Sequence, residues 1–322
     1  MLRKMSIKKI VIAASALCAL FLISLIPNET NNDLVSNIKQ ELIYVDNEIT
    51  TNDIFLMDKN NMLGLTTVIV SNDSSIENRA RELLETLIIG SSSENKIPSG
   101  FKAILPIETK ILSINYENNL IKVDFSKDLL DVDEEMEEKI VESIVYSLTT
   151  IKEIENVIIY VEGDILSYLP KSKITLPSTL NRHFGINKHY EIDTLNDIND
   201  VTIYYISKYN EDYYYVPVTK YVNDDRDKIK IIIDELASGS LYNTNLMSFL
   251  NSNTKLLAVE QAEDSLHLRF NEYIFDDMVE KNILEEVITT ISLSVDDNYD
   301  VNEVFFYVDN KEIYKSVLKT IE

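Results

Sequence analysis

The chain has 322 residues, 45% of them hydrophobic and 26% charged, which excludes a disordered chain and one embedded wholly in a membrane. Its 54 acidic and 30 basic residues give a net charge of -24, which repels phosphate backbones and argues against nucleic acid as a partner. A single cysteine allows no internal disulfide, so each domain has to be held by its apolar core.

The first predicted element is an N-terminal signal or membrane anchor at residues 1–27. The run Ile10–Ile26 has 17 residues and no charge, near the lower limit for a membrane-spanning helix. Its basic flank lies only on the N-terminal side and consists of Arg3, Lys4, Lys8 and Lys9. This asymmetry places the N-terminus in the cytoplasm and the remainder outside. The sequence therefore predicts a cell-membrane protein that is mostly extracytoplasmic and held by one uncleaved anchor.

Two other interpretations of this segment stay open. The length of the apolar run also fits a cleaved signal peptide, and Cys18 offers a site for lipidation. The following residues, 28–48, are polar and rich in asparagine, which predicts a stalk before the first domain.

The first predicted domain, residues 49–165, alternates between the strand period and the helix period. Its elements are strands at 54–57 and 67–70, a helix up to Gly90, a hairpin at 111–125, a helix at 134–149 and a strand at 157–161. Ser74 and Glu77 have capping-box spacing at the start of the first helix, and Gly90 fits a left-handed cap at its end.

A second copy of this unit, residues 200–322, follows a linker at 166–199. Three landmarks recur at offsets of 149, 145 and 147 residues, namely Gly90 and Gly239, Ile121 and Leu266, and Val157 and Val304. Length changes between the copies therefore fall in loops, as in duplicated domains. The predicted fold class is α+β, with two tandem repeats after an N-terminal membrane segment. Each repeat has about five strands in a sheet and two helices packed on one face.

The sequence offers no pattern for a catalytic, cofactor-binding or metal site. The three histidines, His183, His189 and His267, are interpreted as solvated, and six glycines leave no phosphate-binding loop. The acidic run at 131–138 is interpreted as the favourable N-terminus of a helix. Asp296, Asp297 and Asp300 are interpreted as a solvated turn. A carboxylate pair that cleaves glycan strands stays open, because such a pair needs only the right spacing in three dimensions.

Tyrosine is abundant, with 18 residues in a chain that lacks tryptophan. In the strand at 213–218, Tyr213 and Tyr215 lie on one side and Tyr214 on the other. If the second side is core, the first exposes aromatic rings, which suit contact with protein or glycan. Tyr213 and Tyr215 are therefore the candidate interaction surface, and their alternative is ordinary cover for a half-buried sheet.

Several segments together resemble the GerMN domain of sporulation and germination proteins, which occurs in tandem in GerM-type proteins. They are Leu-Ile-Ile-Gly-Ser at 87–91, Thr-Lys-Ile-Leu-Ser at 109–113, Ile-Lys-Val-Asp-Phe-Ser-Lys at 121–127, Ser-Leu-Thr at 147–149 and Val-Ile-Ile-Tyr-Val-Glu-Gly at 157–163. The resemblance covers most of both repeats, and it implies a membrane-attached protein that supports assembly of the envelope machinery during sporulation.

The function predicted from these observations is non-enzymatic. The chain is expected to be a membrane-anchored extracytoplasmic protein that supports sporulation or spore germination by assembly or interaction within the spore envelope. Its expected partners are the membrane and an envelope protein or peptidoglycan, with no cofactor. The alternative is a protein that binds or cleaves peptidoglycan in the cell wall.

Overall fold

The two halves of the chain contain the same order of elements, apart from two short additional strands. The structure, a computed structural model, describes residues 50–71, 75–239, 241 and 244–318, so the predicted anchor and stalk lie outside the described residues. The elements of the first half are β1 (Thr51–Asp58), β2 (Leu63–Ile69), α1 (Ile76–Leu87), β3 (Phe101–Lys102), β4 (Ile111–Glu117), β5 (Leu120–Phe125), α2 (Glu134–Leu148), β6 (Asn156–Val161) and β7 (Asp164–Ile165). Those that follow are β8 (His189–Glu191), β9 (Asn199–Tyr209), β10 (Asp212–Val222), α3 (Lys228–Ala237), β11 (Leu256–Ala262), β12 (Ser265–Phe270), α4 (Glu285–Asn298), β13 (Glu303–Val308) and β14 (Lys311–Val317).

The described strands form three sheets. Each half has a four-stranded sheet, β4–β5–β6–β7 or β11–β12–β13–β14, whose central pair is parallel and whose outer pairs are antiparallel. Helices α2 and α4 form the crossovers that a parallel pair requires. The hairpins β1–β2 and β9–β10 belong to a third sheet of six strands, in which β10 pairs with β9 along one edge and with β2 and β8 on the other. This sheet runs through both repeats.

The α+β class, the tandem repeats and the two helices per repeat are confirmed, but each repeat divides its strands between two sheets. The reason lies at the edge of each hairpin. The backbone N–H of Phe55 donates to Ser147 Oγ at 3.0 Å, and Ser143 Oγ donates to the Phe55 carbonyl at 2.8 Å. In the second repeat, the N–H of Tyr204 donates to Ser294 Oγ at 2.9 Å. Helix hydroxyls thus satisfy backbone groups that would otherwise require another strand.

Helix α1 begins one residue later and ends earlier than its pattern predicts. Its N-cap is Ser75, whose hydroxyl accepts from the N–H of Asn78 at 3.3 Å, whereas Ser74 lies outside the described residues. The helix ends at Leu87 because Ile88 turns into extended backbone and forms a bridge with Leu105. Gly90, with φ +75°, lies in the turn that follows.

Two apolar clusters form the core of the described region. The first gathers the buried faces of α1 and α2 with strands of both their sheets, and the second does the same around α3 and α4. The predicted linker contributes five buried side chains to the first cluster, namely Leu166, Leu169, Leu176, Leu180 and Ile186. Tyr204 of β9 also belongs to the first cluster, so the boundary between the cores does not follow the boundary between the repeats.

Two glycines allow the repeats to approach closely. A Cβ on Gly64 would lie 2.9 Å from the ring of Phe101 and 3.2 Å from the ring of Tyr214. A Cβ on Gly100 would lie 2.6 Å from the ring of Tyr209, and its φ of +97° also favours glycine. Tyrosines of the second repeat therefore pack on first-repeat backbone that has no side chain.

Candidate interaction site at the junction of the repeats

Tyr213 lies near the tip of the β9–β10 hairpin with 44% of its surface accessible. Its ring contacts Phe249 edge-to-face, with ring centroids 5.2 Å apart, and Lys208 Nζ lies 5.3 Å from its centroid. These contacts hold an accessible ring in one position. An aromatic side chain of this kind contributes strongly when a partner covers it.

Tyr215, the second residue of the predicted surface, has a different environment. It is half-buried, pairs with Leu65 of β2 and packs against the first apolar cluster. Burial raises the pKa of its phenol above the ordinary value. The structure thus places Tyr213 in solvent and Tyr215 where the two repeats meet.

Tyr214 faces the opposite side of β10 and links the repeats through a buried carboxylate. Its hydroxyl donates to Asp58 Oδ2 at 2.7 Å and accepts from Ser207 Oγ at 2.9 Å. Asp58 is fully buried, and its other oxygen accepts from the N–H of Met62 at 2.9 Å. Burial raises the pKa of Tyr214 well above its ordinary value, so the phenol stays protonated and able to donate.

Asn187 in the predicted linker joins three segments. Its Oδ1 accepts from the N–H of Leu63 at 2.9 Å, and its Nδ2 donates to the carbonyls of Leu63 at 2.9 Å and Pro217 at 2.8 Å. These are backbone groups of β2 and β10. The residue has φ +47°, a left-handed conformation that asparagine adopts more readily than most residues. The linker therefore bridges both repeats through one buried side chain.

Glu142 of α2 contacts the backbone of Asn187. Its carboxylate accepts from the N–H of Asn187 at 2.9 Å, and only 2% of the residue is accessible. Burial raises its pKa to about 7, although Lys188 and the hydrogen bond from Asn187 oppose the shift. On the same helix, Glu138 forms an ion pair with Lys188 at 2.7 Å. The carboxyl group of Glu142 is thus hydrogen-bonded to the junction and shielded from solvent.

A second buried polar contact joins the linker to the end of α4. Arg182 forms an ion pair with Asp297, whose side chain is 1% accessible. Tyr204 donates to Asp297 Oδ2 at 3.0 Å, and Tyr146 donates to the carbonyl of Arg182 at 2.9 Å. The prediction that Asp297 belongs to a solvated turn is wrong, because α4 extends through this residue and buries its carboxylate against Arg182.

The three histidines have different surroundings. His267 stacks on Phe305 at 4.7 Å between centroids, and its Nδ1 lies 3.1 Å from the hydroxyl of Tyr307. His189 Nε2 lies 3.0 Å from Glu191, whereas His183 is exposed on a 3-10 turn. Within the described ranges, no group of three His, Cys, Asp or Glu residues could hold a metal ion.

The acidic run at 131–138 does occupy the start of α2, which begins at Glu134. Glu137 accepts from the N–H groups of Lys171 at 2.8 Å and Ser172 at 2.7 Å. Burial by itself raises the pKa of Glu137, but these hydrogen bonds bring it below the ordinary value. This carboxylate therefore fixes the turn after Pro170.

The junction residues Asn187, Glu142 and Arg182 cannot be recognised from local patterns in the sequence. Each acts on a residue that is distant in the chain: Asn187 and Leu63 are 124 positions apart, and Arg182 and Asp297 are 115. The available signal was the set of apolar residues in the linker, which argued for packing on a domain without indicating which polar groups would follow. In the part of the chain that the structure describes, no helix combines the length and apolar character needed to cross a membrane.

The fold and the junction together define a class of protein: a tandem α+β repeat whose two copies share one sheet and a buried polar interface. A family described as sporulation and spore germination, Germane, matches residues 53–167 and 202–314. The chain belongs to this family. It is 31% identical over 267 residues to the spore germination protein GerM of Bacillus subtilis (strain 168), covering 80% of this chain and 71% of that protein.

The tandem architecture also matches a solved structure. The tandem GerMN domains of the sporulation protein GerM from Bacillus subtilis superimpose with a TM-score of 0.74 at 29% identity, covering 82% of this chain and 92% of that one. The resemblance to tandem GerMN domains is thus confirmed. Family and relative together support a role in sporulation or spore germination.

Proposed function

We propose that this protein serves sporulation or spore germination as a non-catalytic, membrane-anchored extracytoplasmic protein that holds an envelope protein partner. The observation that carries the proposal is the junction, which fixes the repeats to each other and leaves Tyr213 accessible beside it. A rigid unit with an ordered, accessible aromatic ring is suited to binding, because few degrees of freedom are lost when a partner covers it.

Glu142, the carboxylate with a raised pKa, has no catalytic role in this proposal. A general acid near neutral pH needs a raised pKa and access to its substrate. Glu142 has a pKa of about 7, but its carboxylate is buried against Asn187. The raised pKa therefore follows from the packing of the junction and does not favour the alternative, cleavage of peptidoglycan.

Anchoring to the membrane is supported by the sequence before the described residues. The uncharged run Ile10–Ile26 follows basic residues and precedes a polar segment. In the proposed arrangement the repeats stand outside the membrane on a short stalk, where a partner in the envelope can reach them.

The test compares Tyr213→Ser with Tyr273→Ser in a spore-forming host that lacks its own copy. The two tyrosines have similar accessible fractions, 44% and 45%, but only Tyr213 lies near the tip of the β9–β10 hairpin. We expect both variants to unfold at the wild-type temperature. We expect Tyr213→Ser alone to lower the yield of heat-resistant spores or their germination.

Two outcomes would contradict this proposal. Normal sporulation and germination of Tyr213→Ser would exclude the ring as a required contact. Co-sedimentation of the wild-type chain with purified peptidoglycan, together with release of soluble fragments, would establish the alternative function in the cell wall.

A further inference from the structure

The second repeat contains a loop that the first repeat lacks. Nine positions separate Phe125 from Glu134, the residues that end β5 and begin α2. Fifteen positions separate the corresponding Phe270 and Glu285. Both repeats nevertheless place a 3-10 turn after the strand and the same helix later. The six additional residues are therefore not needed to build the fold.

This additional loop, Asp276–Asn282, is held in one conformation by its own hydrogen bonds. Asp277 Oδ1 accepts from the N–H groups of Val279 at 2.6 Å and Glu280 at 2.9 Å. The backbone closes below the tip, where the N–H of Asp276 donates to the carbonyl of Asn282 at 2.9 Å. A loop that is ordered in this way loses little entropy when it binds.

The tip of the loop is apolar although it points into solvent. Val279 is 92% accessible and Met278 is 49% accessible. Asp276, Asp277 and Glu280 are their neighbours in the chain, and with Lys281 the loop carries a net charge of -2. Exposed apolar side chains on an ordered insertion are typical of contact surfaces, and the neighbouring carboxylates favour a binding site with basic residues at its border.

A cavity that is mainly apolar and has two lysines in the adjoining segment lies on the first repeat. Its volume is about 150 Å³, and its apolar wall is formed by Leu130, Val161, Ile165, Leu166, Tyr168 and Pro170. The cavity is an open depression, since Ile165 and Tyr168 of its wall are 44% and 55% accessible, and its volume is sufficient for a valine or methionine side chain. Lys173 Nζ donates to the carbonyl of Pro170, a wall residue. Lys171 Nζ donates to the carbonyl of Val132, which follows the wall residue Leu130 by two positions. One carboxylate, Asp164, also lines it.

The loop and the cavity do not meet within one molecule, because Val279 is almost fully exposed. We propose that Met278 and Val279 of one molecule insert into the cavity of a second copy of this chain, with the carboxylates of the loop next to Lys171 and Lys173. The two surfaces differ, so the contact is head-to-tail. Each added copy presents a free loop at one end and a free cavity at the other. This inference rests on the proposed function as an interaction protein and names a second copy as one partner.

The test cross-links two differently tagged full-length copies in the same membranes. One copy carries Ser167→Cys at a polar position of the cavity lining, and the other carries Asn282→Cys at the base of the loop. Both positions are exposed, and neither substitution removes an apolar side chain of the proposed contact. A flexible bifunctional maleimide is expected to give a species with both tags. The chain whose only thiol is the native Cys18 provides the background.

Variants of the loop decide whether the contact is the proposed one. Adding Val279→Asp to the loop copy should lower the doubly tagged species at least about tenfold, because an unpaired carboxylate is costly in an apolar cavity. Leu195→Asp is the matched control, since Leu195 is an apolar residue that is 86% accessible elsewhere, and it should leave the yield unchanged. Lys173→Glu should lower the yield, and Asp276→Lys on the opposite copy should restore it.

Three results would overturn the inference. They are the absence of a doubly tagged species, a yield that survives Val279→Asp, and a Ser167→Cys copy that cross-links only to a protein of another size. Cross-linking is scored separately from sporulation. A chain that forms no cross-link but still requires Tyr213 for spore formation therefore overturns this inference and leaves the proposed function intact.

Discussion

The carboxyl group of Glu142 is buried where α2 meets the linker, and this placement makes the stability of the fold depend on pH. Its pKa is raised from 4.5 to about 7. The folded state therefore binds the proton more tightly than the unfolded chain does. The stabilising contribution is complete below pH 4.5 and is lost as the pH rises through about 7.

We expect Glu142→Gln to be more stable than the wild type at pH 8, by up to about 3 kcal/mol, because the amide carries no charge to desolvate. Below pH 4.5 the difference should disappear. Denaturant unfolding across this pH range measures it. Glu135→Gln, at an exposed position of the same helix, is the control and should have the stability of the wild type throughout. Equal pH profiles for wild type and Glu142→Gln would show that another group titrates.

At the scale of the element, the segment between the repeats acts as a structural component of the junction. Asn187 satisfies both backbone groups of Leu63 and the carbonyl of Pro217, all in a buried environment. We expect Asn187→Ala to lower the free energy of unfolding by about 2–4 kcal/mol, because these groups lose their partner without regaining water. Hydrogen exchange at the amide of Leu63 should accelerate as well.

Asn210→Ala is the matched control for this variant. Asn210 also has a left-handed backbone, with φ +53°, but lies in the exposed turn between β9 and β10. Asn210→Ala also places an alanine in left-handed backbone, which costs about 1–2 kcal/mol, but it breaks none of the junction contacts. If the two variants lose the same stability, the hydrogen bonds of Asn187 contribute nothing beyond the backbone.

At the scale of the whole molecule, the buried side chains of the linker lead us to predict that the first domain needs residues beyond 165 to fold alone. Leu169, Leu180 and Ile186 are at most 2% accessible and belong to the first cluster. Each buried side chain of this size contributes about 1.5–3 kcal/mol, so their sum is comparable to the stability of a small domain. We expect a fragment of residues 46–187 to unfold cooperatively and a fragment of 46–165 to be far less stable.

The contribution of these side chains can be separated from that of chain length. In the longer fragment, Leu169→Ser together with Leu180→Ser should return the stability towards that of the shorter one. Circular dichroism during denaturant unfolding measures all three proteins. Equal stability of the short and long fragments would show that the linker only covers a domain that is already complete.

The sequence by itself determined the repeated order of elements. The periods of two and 3.6 depend on side chains that are close in the chain, so they located the helices and strands of both copies. The same local patterns indicated α1 from its apolar face but not its last residue, because the bridge between Ile88 and Leu105 ends it. They did not assign the hairpins to a separate sheet, since this depended on the hydroxyls of Ser143 and Ser147.

The tertiary structure decided the environment of each polar residue at the junction. Asp297 lies among acidic residues whose local pattern indicates a solvated turn, yet Arg182, 115 positions away, is its buried partner. The candidate surface shows the same limit. The strand period placed Tyr213 and Tyr215 on one side of β10, but of these two tyrosines only Tyr215 pairs with Leu65 of β2. Because β2 reaches β10 at that one residue, the first repeat covers Tyr215 and leaves Tyr213 in solvent.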